Sequence, residues 1–149
     1  MEKMSESLED YLEAIYQICE KSQVARVKEL SRRLGVKSAS VVGALRVLRD
    51  KGLVSQEPYG YIKLTKSGER AALDVLKRHR ALSGFFSDAL GLNSETAEQE
   101  ACRAEHALHK ETFKRLARLQ EFIARKGMQN SLFLKEIKKY IDGKEMIIR

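Results

Sequence analysis

The residues best suited to chemistry in this chain of 149 amino acids lie in the run Glu100-Ala101-Cys102-Arg103-Ala104-Glu105-His106. On a helix, Cys102, Glu105 and His106 stand at i, i+3 and i+4 and share one face. A thiolate, a carboxylate and an imidazole on one face make up most of a transition-metal site. Three ligands from one helix rarely complete a coordination shell, so further ligands must come from elsewhere. His79 stands on a preceding long helical segment, and Asp10 and Glu13 stand at i and i+3 near the N-terminus. Taken singly, each is ordinary: a helical histidine is usually structural or exposed, and a lone glutamate is usually solvated. The grouping carries the signal. Cys19 falls among apolar helical positions and reads as core, and His109 reads as surface. No nucleophile–base pair is apparent, which argues against an enzyme.

These residues sit beside a segment with a different chemistry. The formal net charge is +7, unevenly spread. Residues 1–20 carry one basic and six acidic residues, a net −5, whereas residues 21–80 carry fifteen basic and five acidic, a net +10. Residues 81–149 add only +2, from twelve basic and ten acidic residues. A basic block confined to one segment is the footprint of nucleic-acid binding.

The elements that must position these groups follow from periodicity and punctuation. Leu8, Tyr11, Leu12, Ile15, Tyr16 and Ile18 predict an amphipathic helix over 7–21, capped by Ser5 or Ser7. A short helix over 26–34 ends at Gly35. Ser38 is expected to cap a third helix over 39–51, closed by Gly52. Leu53-Val54 and 61–64 read as short strands around a turn at 58–60. Thr65 caps a long helix over 66–90, stopped by Gly91, and Ser94 caps a fifth over 95–108. A sixth over 111–126 is expected to end at Gly127, and a last one spans 132–141. No internal repeat or low-complexity segment appears.

A helix, two short helices joined by Gly35-Val36-Lys37, and a basic hairpin together read as a winged helix-turn-helix. Its recognition helix begins Lys37-Ser38-Ala39-Ser40, small enough to enter a major groove and reach base edges. Gly43 keeps the exposed face lean. Arg26, Lys28, Arg33, Arg46 and Arg49 are candidate phosphate contacts, which position without specifying sequence. Tyr59 and Tyr61 belong to the wing.

Apolar residues make up 43% of the chain, enough for a packed core rather than global disorder. No run approaches the length of a membrane span. The acidic start does not read as a signal peptide, so with two widely spaced cysteines a reducing cytoplasm is expected.

LEDYLEAIYQI at 8–18, the helix-turn-helix, KRHRAL at 77–82 and EACRAEH at 100–106 resemble the diphtheria-toxin-repressor/manganese-transport-regulator family of metal-dependent repressors. The resemblance covers about residues 5–125. It implies a mainly α fold: a winged helix-turn-helix DNA-binding domain, here 1–70, and a helical metal-binding and dimerisation domain, here 71–149. It also implies a homodimer, a divalent metal corepressor and palindromic operators of metal-uptake genes. Asp10 matches the first-helix ligand of manganese-responsive members, where iron-responsive ones have methionine. Glu13 matches a carboxylate of the manganese type. His79, Glu105 and His106 match both types. Cys102 matches the iron type, and Glu98 stands where that type has an ancillary histidine. Ser83 replaces an ancillary carboxylate, and the SH3-like domain of many iron-type members is not expected. The dimer is expected to use Leu108, Phe113 and Leu116.

The ligand set is thus a hybrid. Cys102 favours Fe(II), with Co(II), Ni(II) and Zn(II) acceptable, while Asp10 and Glu13 keep Mn(II) in play. The competing reading is a winged-helix repressor gated by an organic ligand or by oxidation of Cys102.

Overall fold

The computed structural model describes residues 4–57 and 60–143. The chain divides into two compact units, Met1–Leu76 and Lys77–Arg149.

The first unit holds α1 (Glu6–Ser22), α2 (Val27–Leu34), α3 (Ser38–Asp50), β1 (Val54–Gln56), β2 (Ile62–Leu64) and the start of α4 (Lys66–Gly84). Its core gathers Leu12 and Ile15 of α1, Leu30 of α2, Val41 and Leu48 of α3, Ile62 of β2 and Ala72 of α4, all at most 1% exposed. The strands pair antiparallel with Val54 opposite Leu64 and Gln56 opposite Ile62. Ile62 also exchanges two 2.9 Å backbone hydrogen bonds with Ala25, so the wing is tied to the chain entering α2. Gly35 takes φ +65° between α2 and α3, a conformation that costs glycine little.

Thr65 performs the expected cap: its Oγ1 accepts from the Gly68 amide at 3.1 Å and donates to the Gly52 carbonyl at 2.7 Å. The expected caps Ser38 and Ser94 are displaced by one residue. Lys37 is the N-cap of α3, with no side-chain bond, and Ser38 is already helical. Asn93 caps α5 (Ser94–Ala107), its side chain accepting from the Thr96 amide at 2.9 Å. An asparagine carbonyl satisfies that exposed donor as well as a serine does.

The second unit contains the rest of α4, a five-residue π-helix over Phe85–Ala89, α5, α6 (Lys110–Gln129) and α7 (Ser131–Ile141). Periodicity predicts one helix to residue 90; the last five residues instead widen to π geometry. Phe85 and Phe86 meet edge to face at 6.0 Å, and Asp88 accepts from Gln120 of α6 at 2.9 Å. Gly127 does not end α6. The helix continues to Gln129, and the missing side chain makes room for Leu134 of α7, whose Cδ1 would lie 2.6 Å from a Cβ there. Leu82, Ala89, Ala97, Ala101 and Ile123 are buried. Among the described residues no helix is long and apolar enough to cross a membrane.

Candidate metal centre

Within the second unit, α4 and α5 bring four of the expected ligands together. His79 of α4 is the hinge of the group. Its Nδ1 lies 3.0 Å from Glu105 Oε2, and its Nε2 lies 2.6 Å from Glu98 Oε2. His106 Nε2 lies 3.2 Å from the other Glu105 oxygen, Oε1. Glu98 and Glu105 are seven residues apart, two turns of α5, and so face α4 together.

Glu105 is the unusual member. Its side chain is 0% exposed. Oε1 accepts no hydrogen bond, because His106 is within reach but not aligned. A buried carboxylate is costly unless it is paired and hydrogen-bonded. Glu105 is instead set between two imidazoles, with one oxygen left for a stronger acceptor interaction. Such a set, two nitrogens and several carboxylate oxygens, suits a divalent transition ion, so the residues fit the metal expected here.

Glu98 lies nearer solvent. The hydrogen bond from His79 holds its carboxyl below the usual carboxylate range, and a second from Ser83 Oγ, at 2.7 Å, adds to this. Ser83 is therefore not merely a lost carboxylate: it orients the acid that stands in this position. Sequence reasoning left that role unread, although Ser83 is at i+4 from His79 and so shares its face.

Cys102 is exposed on α5, one turn before Glu105 and His106. Asp10 and Glu13 belong to the first unit, both half-buried on α1. Glu13 Oε1 accepts from Gln17 Nε2 at 2.8 Å. Cys19 donates weakly to the Ile62 carbonyl at 3.8 Å, and burial pushes its thiol up, as befits a core residue. His109 is the N-cap of α6, its Nδ1 accepting from the Glu111 amide at 3.3 Å.

The candidate DNA face lies on the first unit. Lys37, Ser38, Ala39, Ser40, Gly43, Arg46 and Arg49 are all exposed on or beside α3, as are Lys28 and Arg33 of α2. Arg26 and Tyr61 engage each other: the guanidinium stacks 4.9 Å from the ring centroid and donates to the phenol oxygen at 3.1 Å. Tyr59 lies outside the described residues.

Comparisons with known proteins agree with this geometry. Residues 3–62 match the family model for the iron dependent repressor N-terminal DNA binding domain. Residues 65–131 match that for the iron dependent repressor metal binding and dimerisation domain. An uncharacterised HTH-type transcriptional regulator of Methanocaldococcus jannaschii is 40% identical over 76% of this chain and 91% of its own length. Transcriptional regulator MntR of Escherichia coli O6:H1 is 32% identical over 72% of this chain and 68% of its own. A solved manganese-dependent transcriptional repressor in complex with manganese superposes with a TM-score of 0.70 at 34% identity, covering 77% of this chain. The match spans 53% of that structure's own chain, about half its length. The resemblance carried by LEDYLEAIYQI and EACRAEH is thereby borne out, and the chain belongs to the iron-dependent repressor family of metal-dependent transcriptional repressors.

Proposed function

We propose that this chain is a cytoplasmic repressor activated by a divalent metal, Fe(II) or Mn(II), which binds palindromic operators of metal-uptake genes as a homodimer. The observation that carries this reading is the buried Glu105 carboxylate, with one oxygen accepting no hydrogen bond, in a chain that also bears a basic winged helix. His79, Glu98, Glu105 and His106 form the ligand group, with Cys102 adding a soft donor. Asp10 and Glu13 of α1 complete it from the DNA-reading segment, residues 1–70. A bound cation supplies the positive charge that lets these carboxylates share one site. In its absence the acidic groups repel, and α1 is held less firmly to residues 71–149. With α1 fixed, the two recognition helices of a dimer keep a spacing near one DNA turn or a multiple of it. Leu108, Phe113 and Leu116 are half-buried, leaving apolar surface for the second copy. Lys37, Ser38, Ala39 and Ser40 approach base edges. Arg33, Arg46 and Arg49, with Lys28, meet phosphates.

The test is duplex DNA selected from a random pool by the manganese-loaded protein, then bound with Mn(II), Fe(II) or chelator. Binding strengthened by metal and lost on His106→Ala is the expected result. Equal binding in chelator overturns the reading, and a response to oxidant alone would transfer it to Cys102.

A further inference from the structure

Three side chains on the first unit link the candidate ligand Glu13 to the DNA face. Gln17 stands at i+4 from Glu13 on α1, and its amide nitrogen donates to Glu13 Oε1 at 2.8 Å. The carbonyl oxygen of the same amide accepts from Arg33 Nη2, in the last turn of α2. Arg33 is exposed, while Glu13 and Gln17 are half-buried. One amide thus holds a metal-ligand candidate by its donor end and a phosphate-contact candidate by its acceptor end.

The geometry points to Gln17 as a positioning residue through which Glu13 controls the availability of Arg33 to DNA. This rests on the metal-repressor reading above. An amide held at both ends is oriented, and an oriented carbonyl keeps the Arg33 guanidinium turned toward α1. When Glu13 gives its oxygen lone pairs to a cation, it becomes a poorer acceptor. Gln17 then loses the bond that fixes its plane, its carbonyl no longer aims at Arg33, and the guanidinium is released to a phosphate. Arginine suits that exchange because its planar fork pairs as well with a phosphate as with an amide oxygen. The linkage is reciprocal: DNA that takes Arg33 leaves Gln17 free to give up Glu13, which favours metal.

Gln17→Met removes both hydrogen bonds while keeping the side chain's length and helix propensity. Binding to the selected duplex is measured with Mn(II) and with chelator across a salt series. In the wild type, metal should steepen the log–log salt dependence by about 0.9, the increment of one added phosphate contact. In Gln17→Met, the metal-free protein should already show the steeper slope. It should also bind about 3- to 10-fold tighter than metal-free wild type, with the metal-induced gain reduced by the same factor. In an Arg33→Ala background, Gln17→Met should change neither quantity. Gln17→Ala serves as a second variant, and both are checked for an unchanged melting transition, since a loss of fold would weaken binding with and without metal alike. An unaltered metal-induced gain and slope in both variants overturns the inference alone. A wild type that ignores metal overturns the repressor reading and the inference with it.

Discussion

Glu105 shows how much one side chain can decide. The spacing of Cys102, Glu105 and His106 places a possible ligand set on one helix face, and helical geometry guarantees that much. It does not say which member is buried. The fold buries Glu105 and His106 and leaves Cys102 exposed. The difference predicts thiol reactivity. Cys102 should react within the mixing time of a disulfide reagent, and Cys19, part-buried with its thiol pushed up, only as the protein unfolds. If Cys102 is a ligand, Mn(II) or Co(II) should slow its modification and chelator should restore it. One fast thiol in chelator and none with metal is the expected count from a timed thiol titration; two fast thiols would remove Cys19 from the core. Ser83 and Gln17 were open to the same i, i+4 reasoning that found the ligands. They stayed unread because an amide or hydroxyl declares no chemistry until its partners are known.

At the scale of elements, glycines separate what spacing predicts from what packing imposes. Gly68, in the first turn of α4, approaches the backbone of α4's preceding loop so closely that a Cβ would lie 1.9 Å from the Leu53 carbonyl oxygen. That oxygen also accepts from the Thr65 amide at 3.0 Å, so it has little freedom to move. Gly68→Ala should destabilise by about 1–3 kcal/mol. At Gly127 the obstacle is the flexible Leu134 side chain, and better helix propensity offsets the crowding, so Gly127→Ala should fall within about 1 kcal/mol of wild type. Chemical denaturation of the two variants checks the contrast; an equal loss in both would mean that the α4 entry yields. Helix positions were legible because apolar periodicity spans many residues. The one-residue shifts at Ser38 and Ser94, and the π-helix at Phe85–Ala89, were not. Serine and asparagine compete nearly equally as caps, and π geometry depends on what α5, α6 and α7 place against that turn.

For the whole molecule, charge is the governing quantity. The +10 over residues 21–80 resides on the unit that carries α2, α3 and the wing, while the −5 at residues 1–20 lies largely on α1. Affinity for duplex DNA should therefore fall steeply with salt. Arg46→Ala should lower the log–log slope by about one, whereas Arg125→Ala, far along α6, should leave it unchanged. Fluorescence anisotropy over a salt series reads both. Equal slopes in the two variants would place Arg46 off the DNA face. The sequence by itself determined the element order, the basic reading module, the acidic first helix and the types of ligand available, because charge, period and turn chemistry are local properties of a chain. Only tertiary structure decided that His79 meets Glu98 and Glu105, that Glu105 is sealed from water, that Gln17 holds Arg33, and that α6 runs through Gly127. Those are contacts between residues far apart in the chain. Their geometry depends on how helices pack, which no spacing rule along a single helix encodes.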